Sequence, residues 1–225
     1  MMSIVAALLV PLMLAQTSAA PAGGATAERF AQCVALIDEN PARAYEEGMA
    51  WAAEAQSMSA YRCAAMGLIA QNRFEEGARR LQSLASAVNP ENTGLRVELW
   101  SQAGNAWLLA REPGQARSNF TRAITTMQSD PQQLPELLID RSIAYAMERE
   151  WRLAEEDLSR SLDIRPENAT ALRLRAAARM NQRSFELAEA DARAAIRLEP
   201  TNQENTLVLG DVLESIRTGA PYERP

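Results

Sequence analysis

Apolar and small residues recur along this chain with helical spacing, in short runs separated by turn signals. Phe30, Cys33, Val34 and Ile37 fall at i, i+3, i+4 and i+7, one face of a helix over about 26–38. Asn40-Pro41 breaks it. Pro41 suits the first turn of a second helix running to about 55, with Ala44, Gly48 and Trp51 on one side. Tyr61, Ala64, Ala65 and Leu68 stripe a third helix. After the Asn72-Arg73-Phe74 turn, Gly77, Leu81 and Leu84 make the facing stripe before Asn89-Pro90. The scheme then returns: Trp100, Ala103, Gly104 and Trp107, a turn at Glu112-Pro113-Gly114, then Ala116, Phe120 and Ala123 up to Asp130-Pro131.

Over 135–200 the scheme becomes a literal repeat. Pro166 and Pro200 stand 34 residues apart, in tails reading Leu162-Asp163-Ile164-Arg165-Pro166-Glu167-Asn168 and Ile196-Arg197-Leu198-Glu199-Pro200-Thr201-Asn202. Ala154 and Ala188 lie 12 residues before those prolines, and Trp151 and Phe185 three residues earlier still. A fixed period built from two short helices marks a stacked array. Gly77, Ala116, Ala154 and Ala188 are equivalent small positions spaced by 39, 38 and 34, so the early units carry short insertions in their connections. The spacing predicts an unusual first unit over about 26–56, then units over 58–90, 95–131, 135–166 and 169–200. Gln203 to Arg217 reads as a lone capping helix. Its apolar side is Leu207, Leu209, Leu213 and Ile216, and its polar outer side Glu204, Asp211, Glu214 and Ser215. Residues 218–225, with Gly219, Pro221 and Pro225, are expected to be a disordered tail.

Composition narrows the chemistry. A net charge of −6 and a pI near 5.0 argue against nucleic acid, which is bound by a basic face. All 23 basic residues are Arg, and there is no His, which removes the commonest general base and zinc ligand. Cys33 and Cys63 alone make neither a zinc site nor a C-x-x-C motif. No cofactor, metal or catalytic residue is expected. Ile4 to Leu14 is an apolar run followed by Gln16-Thr17-Ser18-Ala19-Ala20-Pro21-Ala22, the shape of a secretory signal over 1–22. At roughly 11 residues it is short of the about 20 that span a bilayer, so no stable membrane span is expected after cleavage. The expected location is periplasmic or secreted, the alternative being an uncleaved anchor at an inner membrane.

The units resemble the tetratricopeptide repeat. That pattern runs bulky, small pair, long side chain on a first helix, then small, aromatic, small and Pro on a second. The third unit supplies Trp100, Ala103-Gly104, Trp107, Ala116, Phe120 and Ala123. The fourth supplies Leu138, Ser142, Tyr145, Trp151, Ala154, Leu158, Ser161 and Pro166, and the fifth Leu172, Ala176, Phe185, Ala188, Ala195 and Pro200. The resemblance covers about 58–217 and implies an all-α, right-handed superhelical solenoid of helix–turn–helix repeats with a C-terminal capping helix.

It also implies a ligand surface on the concave side, lined by the first helices. The matching positions are Arg62, Met66 and Ile69; Asn105, Leu108 and Leu109; Ile139, Ile143 and Met147; and Arg173, Ala177 and Met180. Such a groove, apolar in the middle, suits a peptide segment of a protein partner. Packing of Ile143, Met147 and Leu109 against neighbouring helices or the N-terminus is the alternative. The basic carboxylate-gripping set of chaperone-binding members is absent: Asn105 matches one asparagine, but Asp140, Thr170 and Leu174 stand at other expected positions. Arg173, Arg175, Arg179 and Arg183 read as a solvated face balanced by Glu186, Glu189 and Asp191. Cys33 and Cys63 lie on first helices of consecutive units, which run side by side, so in an oxidising compartment they are a candidate disulfide; two buried free thiols are the alternative. The function expected is a non-catalytic scaffold or adaptor of the cell envelope. The alternatives are an accessory protein of an envelope enzyme complex and a self-associating structural protein.

Overall fold

The structure, a computed structural model, describes residues 22–127 and 133–222. The expected signal segment falls outside them but for Ala22, as does the Asp130-Pro131 break. Among the described residues there are eleven helices: α1 Ala22–Glu39, α2 Pro41–Ala55, α3 Met58–Ala70, α4 Phe74–Ala87, α5 Thr93–Leu109, α6 Pro113–Thr126, α7 Leu134–Met147, α8 Trp151–Ile164, α9 Ala169–Asn181, α10 Phe185–Leu198 and α11 Gln203–Thr218. Each packs on the helices before and after it, and the odd-numbered helices also touch one another. That connectivity is a solenoid, with the odd helices lining one side.

Local chemistry sets the helix ends. The Asn40, Asn92, Asn168 and Asn202 side chains accept the amides of Arg43 at 3.0 Å, Leu95 at 3.3 Å, Ala171 at 2.9 Å and Glu204 at 3.0 Å, which satisfies an otherwise orphaned donor at four N-termini. Three of these asparagines stand in a Pro-x-Asn step, after Pro90, Pro166 and Pro200, so one dipeptide spacing both stops a helix and starts the next. Within each of the four later units the turn is closed by a left-handed residue: Asn72, Arg111, Arg149 and Arg183, with φ of 61°, 58°, 60° and 65°.

The small positions bring the helices together. A Cβ on Gly104 would sit 2.5 Å from the ring of Phe120, and one on Gly77 2.9 Å from the carbonyl oxygen of Ala65. Gly48 and Gly67 press on backbone, at 2.7 Å from the Ala64 nitrogen and 2.8 Å from the Tyr45 nitrogen. In the second, third and fourth units sixteen residues separate a small residue of the first helix from a large one of the second: Ala65 and Leu81, Gly104 and Phe120, Ser142 and Leu158, all buried; in the fifth the same step joins Ala176 to Ala192.

The neighbouring register, one residue earlier, carries charge. Arg141 grips Asp157, 16 residues on, through two bonds of 2.7 Å, and also reaches the Thr121 hydroxyl of the preceding unit at 3.2 Å. One repeat later Arg175 grips Asp191 at 2.8 and 2.9 Å and reaches the Ser159 hydroxyl at 3.2 Å. The carboxylates are almost fully enclosed, and bidentate geometry is what makes such burial tolerable. In the third unit the same two positions are Ala103 and Asn119: where the Arg is missing, the carboxylate is an amide, buried and donating to the Gln115 carbonyl at 2.7 Å. The arginines of α9 are therefore not a solvated face. Arg175 and Arg179 turn inward to Asp191, and Arg179 also binds Glu155 at 2.7 Å, because the carboxylates lie on the packing side of α8 and α10.

The last helix departs from the capping pattern. Its buried side is Asn205, Val208, Val212 and Ser215, with Leu207, Leu213 and Ile216 facing outward. The inner side is chosen by fit and by hydrogen bonding. Val208 and Val212 enter the pocket around Ala176 and Ala192, and the Asn205 amide donates to the carbonyls of Ala195 and Glu199 at 3.1 and 3.3 Å. The first part of the expected disordered tail is also fixed. Gly219 caps α11 at φ 71°, its carbonyl accepts from Arg183 at 2.6 Å, and the Tyr222 amide donates to the Ser215 hydroxyl at 2.9 Å.

Two stability outcomes follow from this packing. Gly104→Ala is expected to cost about 1–3 kcal/mol in urea unfolding, and a cycle with Phe120→Leu to be less than additive, because the shorter side chain accepts the new methyl. Arg141→Ala, which strands a buried carboxylate, is expected to cost about 3–5 kcal/mol. Adding Asp157→Asn, to copy the Ala103 and Asn119 pair of the third unit, should recover part of that loss.

Candidate functional site

The inner side of the odd helices forms one groove with two compartments. The first, of about 310 Å³, is walled by Ile37 of α1, Met66, Ile69 and Ala70 of α3, and Gln102, Asn105 and Leu109 of α5. The second, of about 540 Å³, lies between Asn105, Leu108 and Leu109 of α5 and Ile143 and Met147 of α7, with Arg111 at its edge. Asn105 and Leu109 belong to both, so the compartments adjoin at α5. The exposed apolar groups here are placed by helix geometry: Leu109 and Met147 occupy the last turns of α5 and α7, just before the left-handed turns. Leu109 is 55% exposed, the most of any large apolar side chain in the described groove.

Of the twelve positions expected on this surface, the structure brings seven together: Met66, Ile69, Asn105, Leu108, Leu109, Ile143 and Met147. Arg62 lies at the rim, already engaged. It pairs with Glu98, donates to the Gln102 side chain at 3.1 Å and stacks over Phe30 at 5.0 Å, so it is part of the wall. Ile139 and Met180 lie inside instead. Ile139 packs with Leu158, Leu162 and Leu172, and Met180 with Ala188, Val208 and Val212. The reason is that α7 and α9 are covered from two flanks, by their own second helix and by the following unit, so their buried arc is wider than one stripe. Arg173 and Ala177, half-buried on α9, line neither compartment.

Sequence reasoning missed Ile37 and Gln102 as lining residues, and it missed the partner of Asn105. Asn105 is hydrogen-bonded to Asp140 of α7, which itself lines neither compartment. Burial pushes the Asp140 carboxyl up to about 6; the Asn105 hydrogen bond offsets part of this, and the nearby Glu136 charge adds to it. The only signal available was the placement of both residues on inner helix positions, since their contact needs the register of two units.

The N-terminal end of the groove is held covalently. Cys33 of α1 and Cys63 of α3 form a disulfide with Cα atoms 6.1 Å apart. Cys33 is the one fully buried α1 side chain among the described residues. Beside it, Phe30 packs against the buried Trp51, Ala52 and Ala60, and Arg29 pairs with Glu54 at 2.7 Å and lies 5.0 Å over the Trp51 ring. The disulfide thus fixes the helix that contributes Ile37.

No family model matches the chain. Among solved structures, the chain is similar to residues 41 to the end of MamA from Desulfovibrio magneticus RS-1, with a TM-score of 0.60, 18% identity, and 72% of this chain and 85% of that one covered. It is also similar to YrrB, described as a TPR protein with an unusual peptide-binding site, at a TM-score of 0.58 and 14% identity over 77% of this chain and 86% of that one. The first TPR domain of human RPAP3 matches at 0.50 and 22% identity over 54% of this chain and 93% of that one. The fold is that of the tetratricopeptide-repeat solenoid.

The raised Asp140 carboxyl has a definite sign. Its ordinary value is 3.8 and its folded value about 6, so ionisation opposes folding. The stability it leaves intact is fully present below about pH 4 and lost as pH rises through 6. Asp140→Asn is therefore expected to raise stability at pH 7.5 by on the order of 2 kcal/mol, with the difference from wild type closing near pH 4 in thermal melts.

Proposed function

We propose that this tetratricopeptide-repeat fold serves as a non-catalytic protein-interaction module that takes a peptide segment of a protein partner in its concave groove. The observation that carries the reading is that the two compartments meet at Asn105 and Leu109. A stretch of apolar surface crosses four consecutive inner helices, α1, α3, α5 and α7, with the exposed Asn105 side chain at its centre to bond a peptide backbone beside its bond to Asp140. Met66 and Met147, one in each compartment, are unbranched side chains that adapt to a ligand's shape. The peptide-binding site described for YrrB is in keeping with this use of the fold. Among the described residues no group of three or more His, Cys, Asp or Glu could hold a metal ion, and the paired acids Glu75 and Glu76 are held by Arg79 and Arg73 on the surface.

The proposed setting is a cell envelope, with the chain exported into a periplasm or secreted. The apolar run Ile4 to Leu14 and the disulfide between Cys33 and Cys63 support it. No helix among the described residues is long and apolar enough to cross a membrane.

A peptide-display selection against the wild-type protein tests the groove. Enriched peptides should carry two or more large apolar residues, and their affinity should fall at least about tenfold for Leu109→Glu, which places a charge where both compartments meet. Peptides that bind Leu109→Glu as well as wild type would remove the groove from the reading.

A further inference from the structure

Charge is scarce on the lining of the groove. Of the side chains that line the two compartments, Arg111 is the one that carries a full charge. At the rim, Arg62 and Glu98 cancel each other. Arg111 stands at the turn end of the second compartment, two residues after Leu109. It also borders a neighbouring hollow of about 470 Å³ between the turns of the second and third units. The turn fixes its place: its φ is 58° and its amide donates to the Leu108 carbonyl at 3.0 Å. Its side chain is exposed and has no partner among the described residues. The equivalent residues of the other units are neutral or spent. Asn72 carries no charge, Arg149 is engaged, and Arg183 donates to the Gly219 carbonyl at 2.6 Å. The carboxylates near Arg111 are also taken. Glu75 and Glu76, which share the neighbouring hollow, are held by Arg79 and Arg73, and Glu148 of the next turn by Arg117 at 2.8 Å. Glu112, next in the chain, borders neither that hollow nor the compartments.

We propose that Arg111 selects partner segments in which a carboxylate adjoins the apolar residues held by the groove. The inference rests on the groove reading above and adds a charge to a selectivity otherwise set by apolar shape. A guanidinium offers a carboxylate two parallel donors, so the contact is directional. It anchors one end of the segment while Leu109, Ile143 and Met147 take the apolar side chains. The same cation penalises a segment with Lys or Arg at that place, so it discriminates by repulsion as well. The net charge of −6 does not oppose this. Charges farther away than about 8–10 Å are screened at physiological salt, and Arg111 is the charge at contact. The carboxylate can belong to an acidic side chain or to the C-terminus of the partner, which present the same pair of oxygens. The carboxylate-gripping set of chaperone-binding repeats has no part in it. Asp140, Thr170 and Leu174 hold positions of that set, whereas Arg111 stands in the turn after α5.

A library of random peptides with free C-termini, selected against the full wild-type chain, supplies the probe. Enriched peptides should carry a carboxylate at constant spacing from their apolar residues. Synthetic copies separate the two sources: one has its C-terminus amidated, the other has the acidic side chain exchanged for its amide. The copy that loses the recognised carboxylate should bind about threefold to tenfold more weakly. Arg111→Gln should cost the parent peptide a similar factor and the neutralised copy nothing. Arg111→Glu should cost the parent at least about tenfold, and the neutralised copy should bind that variant more tightly than the parent does. Arg111 has no side-chain partner among the described residues, so both variants should keep the wild-type thermal midpoint. Peptides that bind in the groove without needing a carboxylate overturn the inference and leave the groove reading standing. So do peptides whose carboxylate matters as much to Arg111→Gln as to wild type. A library from which nothing binds at the groove overturns both.

Discussion

Two helix backbones come within van der Waals reach only where one of them lacks a side chain, and three crossings among the described residues are of that kind. At Gly48, Gly67 and Gly77 an added Cβ would lie within 3 Å of neighbouring backbone, and at Gly104 within 3 Å of the Phe120 ring. Close crossings fix the pitch of the stack, because each unit must lean on the next at the angle its hollow allows. The curvature of the inner side, and with it the groove, is downstream of these positions. In the two C-terminal units the small positions are Ser142 and Ala176 instead of glycine, and buried Arg–Asp grips at Arg141 and Arg175 supply the register that glycine supplies earlier. Shape complementarity and directed charge thus divide one task along the chain.

Where the packing partner was local, the fold could be read from residue spacing. The prolines, the small positions and the bulky residues recur at distances that only a helical hairpin array satisfies, and the helices lie where the stripes put them. The errors have a common origin in contacts between units. Ile139 and Met180 sit on the first helices' inner stripe by periodicity, yet the following unit covers them. In α11 the leucines form the more apolar stripe, but the valines fit the available hollow, and a buried asparagine binding two carbonyls overrides hydrophobicity as a guide to direction. The 16-residue spacing from Arg141 to Asp157 and from Arg175 to Asp191 was visible in the sequence; its inward orientation was not, because charge on a helix usually means solvent.

The candidate site was legible to a similar degree. Seven of twelve positions converge, since being on the inner stripe of consecutive first helices is enough to place a residue in the hollow. What the stripe cannot show is which polar groups are already spent. Arg62 is consumed by Glu98 and Gln102, and Asn105, the central amide of the groove, already bonds Asp140. The surface left for a partner is therefore less charged than the sequence suggests, and its selectivity falls on apolar shape.

The covalent bond between α1 and α3 has a bearing on how the array comes apart. It spans the whole of α2, so the N-terminal units cannot separate without breaking a bond, while the opposite end is secured by noncovalent contacts. Because each unit leans mainly on its neighbours, loss of order can start at the unclamped end and travel inward one hairpin at a time. Fraying is thereby given a direction: the C-terminal hairpins open and close most often, and the half of the groove nearest the disulfide keeps its shape longest.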